Sequence, residues 1–132
     1  MWKSIVDFGY IIELGEGKPG FLLDTLRLFC GQTQKLMEEY QLAVAESWDP
    51  KAMEVMAHGL KSGFGLVHVD GALPLLEAME KNARQHHDEE LARVQWESFQ
   101  GIWERAKEDI RAFQTQLADM DVSAKVEHPK FS

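Results

Sequence analysis

The fold class is decided by the stretch EELARVQWESFQGIWERAKEDIRAFQTQL, which occupies residues 89–117. Its apolar residues recur at steps of three and four, the spacing that lines one face of an α-helix. Asp88, Glu89 and Glu90 stand at the start, where the helix dipole favours negative charge. The stretch therefore predicts one long amphipathic helix with a single buried stripe, formed by Ala92, Trp96, Phe99, Trp103, Ala106, Ile110, Phe113 and Leu117.

Turn-forming residues divide the rest of the chain into further helices, and strict apolar–polar alternation is nearly absent. Glycines and a proline within 15–19 separate the first two helices, Asp49-Pro50 opens the third, and Asp70 is expected to cap the fourth. The predicted ranges are 1–14, 19–46, 50–67 and 71–85, before the last helix. We predict an all-α fold, an antiparallel up-down-up-down four-helix bundle with a short additional N-terminal helix. The bundle domain is expected over residues 1–120, and residues 121–132 are expected to form a polar, flexible tail.

Composition restricts the classes of partner. The 132 residues suit one domain, and 14 Lys and Arg against 22 Asp and Glu give a net charge of −8. This charge disfavours nucleic acids and anionic membrane surfaces as partners, since both are bound mainly by Lys and Arg. We expect a cytoplasmic protein for three reasons. The chain has one cysteine and so cannot form an internal disulfide. It also has no apolar run long enough to span a membrane and no evident signal peptide.

One segment, Ala57–Gly65, contains the side chains that are candidates for a chemical function. On a helix, His58, Lys61, Ser62 and Gly65 share one face, with Glu54 one turn before His58. A neutral imidazole is a good nucleophile, and an accessible one is largely neutral near pH 7. The Lys61 ammonium would partly offset the charge of a phosphoryl group on His58, and the small residues leave room for another protein to reach the ring. The segment therefore predicts a phosphoryl acceptor.

The same segment resembles the histidine-containing phosphotransfer (HPt) domains of two-component phosphorelays. Ala57-His58-Gly59-Leu60-Lys61 matches the core of the family motif, and the resemblance covers about residues 10–115. It extends to Glu13–Gly17 with Phe21-Leu22, and to Ala72–Glu77. The chain departs from the family at Ser62, where a glycine is usual, and at Phe64 and His68, where small residues are common.

The resemblance implies a function and a set of partners. His58 is the expected phosphoacceptor, attacking through Nε2, and Lys61 stabilises the charge of the phosphate. Glu54, Gly59, Ser62 and Gly65 are the expected docking face. The expected partner is the receiver domain of a hybrid histidine kinase, of a response regulator, or of both. The receiver would supply Mg²⁺ and the acidic groups, while this chain would have no cofactor or metal site of its own.

Other interpretations remain open. The chain could be a degenerate HPt domain, a helical adaptor that binds a signalling partner through the face around His58 without chemistry. His86-His87 followed by acidic residues is better explained by a solvated loop and helix start than by a metal site, because neighbouring helical side chains diverge. Without a nucleotide-binding motif we expect a monomeric phosphocarrier rather than an enzyme.

Overall fold

The computed structural model describes residues 4–127, with side chains through Asp121, and is mostly helical. A two-residue strand β1 (Val6–Asp7) and a short helix α1 (Gly9–Leu14) come first. The two next helices are α2 (Pro19–Ala45) and α3 (Pro50–Phe64). Strand β2 (His68–Val69), α4 (Ala72–Lys81), a π-helical turn (Asn82–His86) and α5 (Glu89–Glu127) follow. The helical content agrees with the all-α prediction, apart from the small sheet.

The core lies among the four longer helices. Helix α2 packs against α3 and α5, and α4 packs against the same two helices. Phe64 of α3, one of the departures from the family pattern, is fully buried. Its ring makes edge-on contacts with Phe29 of α2 and with Phe99 and Trp103 of α5, at centroid distances of 5.1, 5.5 and 6.0 Å. Each such contact adds about 1 kcal/mol to the gain from burial, so this aromatic cluster fixes α3 against its neighbours.

Two glycines allow α3 to approach α2 closely. A Cβ atom at Gly63 would lie 3.1 Å from the ring of Phe29, and one at Gly59 would lie 3.3 Å from a methyl group of Leu36. Gly65 ends the helix at φ −77°, and a Cβ there would meet only backbone oxygens. Only the first two glycines therefore serve helix packing.

The predicted first helix over residues 1–14 is wrong over residues 4–8, which are not helical. Residues 6–7 are extended and pair antiparallel with β2, Val6 opposite Val69 and Asp7 opposite His68. Asp109 of α5, a buried residue, explains this, because its Oδ2 accepts hydrogen bonds from the Ile5 and Val6 amides at 2.7 and 3.2 Å. A carboxylate from α5 thus binds amides near the chain start, and β2 pairs with the extended segment. Trp2, part of the predicted helix, lies outside the described residues.

The helix after β2 also differs from its prediction at both ends. Its N-terminal cap is Gly71, at φ +80°, and Asp70 provides no side-chain cap. At its C-terminal end the backbone widens into the π-helical turn, where the buried Asn82 side chain bonds both the N–H and the C=O of Asp88. These two bonds fix the connection to α5.

The last helix continues beyond the predicted domain boundary at residue 120, as far as Glu127. The remainder of the predicted tail, 128–132, lies outside the described residues. Over residues 4–127 we find no helix that is both long enough and apolar enough to cross a membrane.

Candidate functional site

Helix α3 presents His58 to solvent. The Asp49 carboxylate caps the helix by accepting from the Ala52 amide at 3.1 Å, and Met53, Ala57, Leu60 and Phe64 are buried along one side. His58 follows the buried Ala57 and therefore points away from that side, and its side chain is 70% exposed. The periodicity of the sequence thus sets the accessibility of this ring.

Glu80 of α4 joins His58 to Lys61. Its Oε2 lies 3.0 Å from His58 Nδ1, and its Oε1 accepts from Lys61 Nζ at 3.0 Å. The Glu80 side chain is only 12% exposed and the Lys61 side chain 27%. The hydrogen bond from Lys61 lowers the pKa of Glu80, His58 acts in the same direction, and desolvation opposes both. Glu80 is therefore an ionised carboxylate at neutral pH.

This carboxylate determines the tautomer of the neutral imidazole. An ionised carboxylate only accepts hydrogen bonds, so Nδ1 must carry the proton that it donates to Glu80. The lone pair then resides on Nε2. Because the ring is largely exposed, the arrangement offers a nucleophilic nitrogen to a second molecule, with the opposite nitrogen fixed by a mostly buried carboxylate.

A second contact between α3 and α4 lies beside the first. Glu54 lies 3.8 Å from both Lys51 and Arg84, the latter in the π-helical turn, and its side chain is 23% exposed. Polar contacts therefore join α3 to α4 and to the π-helical turn at two positions one helical turn apart, residues 54 and 58 of α3.

The remaining predicted docking residues separate into two groups. Ser62 and Gly65 are exposed on the His58 side of α3. Gly59 is half-buried and faces Leu36 of α2 rather than lying beside His58, and its part in docking stays a prediction. A step of one residue turns a helical position by about 100°, which is enough to move Gly59 from the His58 face to the contact with α2.

Glu80 and Arg84 are site residues that sequence reasoning missed. They are one turn apart on the polar side of α4 and its continuation, and this spacing is visible in the sequence. Nothing in the sequence fixes the register of α4 against α3, which decides that Glu80 rather than Glu77 meets His58. That register follows from packing of buried Leu76 and Met79.

Other histidines lie apart from this arrangement. The exposed His68 stacks on Tyr10 of α1 at a centroid distance of 5.7 Å, and its Nε2 lies 3.1 Å from the Gly65 carbonyl oxygen. Among residues 4–121, no three His, Cys, Asp or Glu side chains come together in a way that could hold a metal ion.

Comparisons with known proteins add no relative. No protein-family model matches the chain, and no curated protein or solved structure matches it either.

Proposed function

We propose that this protein is an HPt-type phosphotransfer protein, which accepts a phosphoryl group on His58 from a receiver-domain aspartate and passes it to another receiver. The proposal includes an antiparallel up-down-up-down four-helix bundle. The packing of α2 and of α4 against both α3 and α5 supports this arrangement, because each of the four helices then has two neighbours.

The observation that carries the proposal is the shared carboxylate of Glu80. It binds Nδ1 of an imidazole that is 70% exposed, and it holds the Lys61 ammonium with its other oxygen. An ordinary surface histidine does not require a mostly buried carboxylate at one ring nitrogen together with solvent exposure of the ring. A phosphoryl acceptor needs both features, since one nitrogen must be free to attack and the other must remain protonated.

The chemical step follows from this geometry. The Nε2 lone pair of His58 attacks phosphorus of the aspartyl phosphate, and the bond between phosphorus and the aspartate oxygen breaks. The aspartate leaves as a carboxylate and takes the bonding electron pair. The ring becomes positively charged and keeps its proton on Nδ1, where the Glu80 carboxylate stabilises it. No proton needs to be transferred, so the reverse reaction can return the group to a receiver.

Lys61 has a positioning role and a charge role in this proposal. Its hydrogen bond to Glu80 orients the carboxylate toward His58. Its ammonium lies one turn from the imidazole and offsets part of the negative charge that arrives with the phosphoryl group. Mg²⁺ is assigned to the receiver, where it would neutralise phosphate charge, because the carboxylate beside His58 is already hydrogen-bonded through both oxygens, to His58 and to Lys61.

Transfer of label from a phosphorylated receiver tests the function. A receiver domain carrying radiolabelled aspartyl phosphate is mixed with the protein and Mg²⁺, and the label is followed by gel electrophoresis. We expect label on the wild-type protein and none on His58→Gln. His68→Gln is the matched control, since it removes another exposed histidine, ten positions along the chain, and should accept label normally. The bound phosphate should be labile in acid and stable in base.

The same experiment separates the adaptor from the phosphocarrier. An adaptor would bind the receiver without accepting label, and His58→Gln would not change its binding. Label on His58→Gln, or the absence of label from the wild type with every receiver that binds it, contradicts the proposal.

A further inference from the structure

Helices α2 and α5 border a long groove in which neither His58 nor Glu80 takes part. Four adjoining hollows form it, and every residue that lines them comes from these two helices. Neighbouring hollows share residues, Gln41 and Gln100 at one end and Arg27 and Arg111 at the other. Between Arg93 and Ala118 the groove is roughly 40 Å long at the rise of an α-helix.

Charge is unevenly distributed along the groove. In the half nearer the C-terminal end of α5, the charged residues that line the surface are Arg27, Lys107 and Arg111, with no carboxylate among the described lining residues. Burial raises the pKa of the Cys30 thiol in this half, and the charges of Lys107 and Arg111 partly oppose the rise. Arg27, Lys107 and Arg111 therefore give this half of the groove a positively charged lining on a chain whose net charge is −8.

The carboxylates that pair with these cations are easily replaced. Asp24, Glu104 and Glu108 lie 3.7, 3.0 and 3.4 Å from their partners, each on the same helix and within three residues. The three carboxylate side chains are 63–81% exposed. Exposed pairs of this kind stabilise a protein very little, so carboxylates from a partner can take over the cations at small cost.

The other half of the groove has a mixed lining of amide, charged and apolar side chains, and of its larger apolar side chains only Leu42 is exposed. Met37, Gln41, Trp96 and Trp103 line it, and Leu42 at its edge is 53% exposed. The buried Trp103 Nε1 has no hydrogen-bond acceptor within the described part of the chain. Apolar contact area beside polar groups suits the side chains and backbone of a peptide.

We infer that this groove binds an acidic linear segment of a partner protein, with its carboxylates over Arg27, Lys107 and Arg111 and its apolar side chains against Met37 and Leu42. The length of the groove favours a peptide over a single small anion. Nucleic acid is disfavoured because Glu38, Glu97 and Glu104 line the other half of the groove, where a phosphate at every nucleotide would meet them, whereas a peptide can carry its carboxylates in one half only. This binding site does not depend on phosphotransfer, because His58, Lys61 and Glu80 lie on α3 and α4.

Fluorescence anisotropy with a defined probe tests the inference. The probe is a fluorescein-labelled peptide of about 12 residues, long enough to span roughly 40 Å when extended, with leucines in one half and glutamates in the other. A peptide with glutamine in place of each glutamate is the neutral control. We expect the acidic probe to bind in low salt and the neutral one to bind about tenfold more weakly or not at all.

Paired variants locate the binding. Arg27→Gln with Arg111→Gln should weaken binding of the acidic probe by about tenfold, since two exposed charge contacts are lost. Lys35→Gln with Lys51→Gln makes the same change in net charge at exposed positions outside the groove and should leave binding unchanged. The probe should also slow alkylation of Cys30, the one cysteine, by iodoacetamide.

Three results would overturn the inference. One is equal weakening by the two double variants, which would mean attraction to net charge alone. The second is binding of the neutral peptide as tightly as the acidic one. The third is protection of Cys30 by millimolar inorganic phosphate but not by the peptide, which would indicate a small-anion site. His58→Gln should bind the probe like the wild type even if phosphotransfer fails, so the two proposals can fail separately.

Discussion

Glu80→Gln is the change that tests the arrangement around His58 most sensitively. The substitution preserves the shape of the side chain and removes its charge, so the bond from Nδ1 becomes a hydrogen bond to a neutral acceptor. A charge-assisted hydrogen bond stabilises by about 1 kcal/mol more than a neutral one. We do not expect a larger difference here, because His58 is exposed to solvent. Because positive charge develops on the ring during phosphoryl transfer, we expect the variant to accept phosphate about fivefold more slowly.

Rapid-quench measurement of transfer from a phosphorylated receiver gives this rate directly. Glu77→Gln is the matched control, since it removes an exposed carboxylate from the preceding turn of α4 and should transfer at the wild-type rate. A wild-type rate for Glu80→Gln, or equal slowing by Glu77→Gln, would refute the role of the shared carboxylate.

The pKa of Glu80 also predicts how stability depends on pH. Its pKa in the folded protein lies below the ordinary value of 4.5, chiefly because of the bond from Lys61. The ionised carboxylate therefore stabilises the fold fully above pH 4.5, and this contribution is lost as the pH falls through the folded-state pKa. In urea unfolding series below neutral pH, Glu80→Gln should lose less stability on acidification than the wild type, and an equal loss would contradict this assignment.

Four further substitutions test other parts of the account. Lys61→Ala should slow transfer several-fold with the helical circular dichroism unchanged, and an unchanged rate would remove Lys61 from the mechanism. Gly63→Ala should lower the free energy of unfolding by about 1 kcal/mol, because crowding of the new methyl group against the Phe29 ring at 3.1 Å outweighs the gain in helix propensity. Gly59→Ala should leave the free energy of unfolding nearly unchanged. Urea midpoints that rank these two variants in the reverse order would contradict the packing described here. Asp109→Ala should cost about 2–4 kcal/mol in the same assay, since two amides lose their acceptor, and a loss under 1 kcal/mol would show that β1 does not depend on it.

The long helices could be predicted from the sequence because each carries many turns of the same apolar period. Helix α2 was predicted over 19–46 and spans Pro19–Ala45, and the start of α3 at Pro50 was predicted from its capping aspartate. The position of His58 on an exposed face followed from the same periodicity. Local sequence was sufficient in these places because helix hydrogen bonds are local.

The features that could not be predicted depend on contacts between distant parts of the chain. Strand β1 exists where Asp109, more than a hundred positions away, binds the amides of Ile5 and Val6. Two-residue strands are also too short to show any alternation. Glu80 reaches His58 through the register of α4 against α3, which depends on how buried side chains interlock. Sequence therefore singled out His58 and Lys61 but missed the Glu80 carboxylate that joins them.

The most direct test of the central claim is nitrogen-15 NMR of the His58 ring in the phosphorylated protein. The account predicts coupling to phosphorus at Nε2, with Nδ1 still protonated and hydrogen-bonded to Glu80. Phosphorus on Nδ1, or phosphate on another residue while the His58 ring remains unmodified, would contradict it.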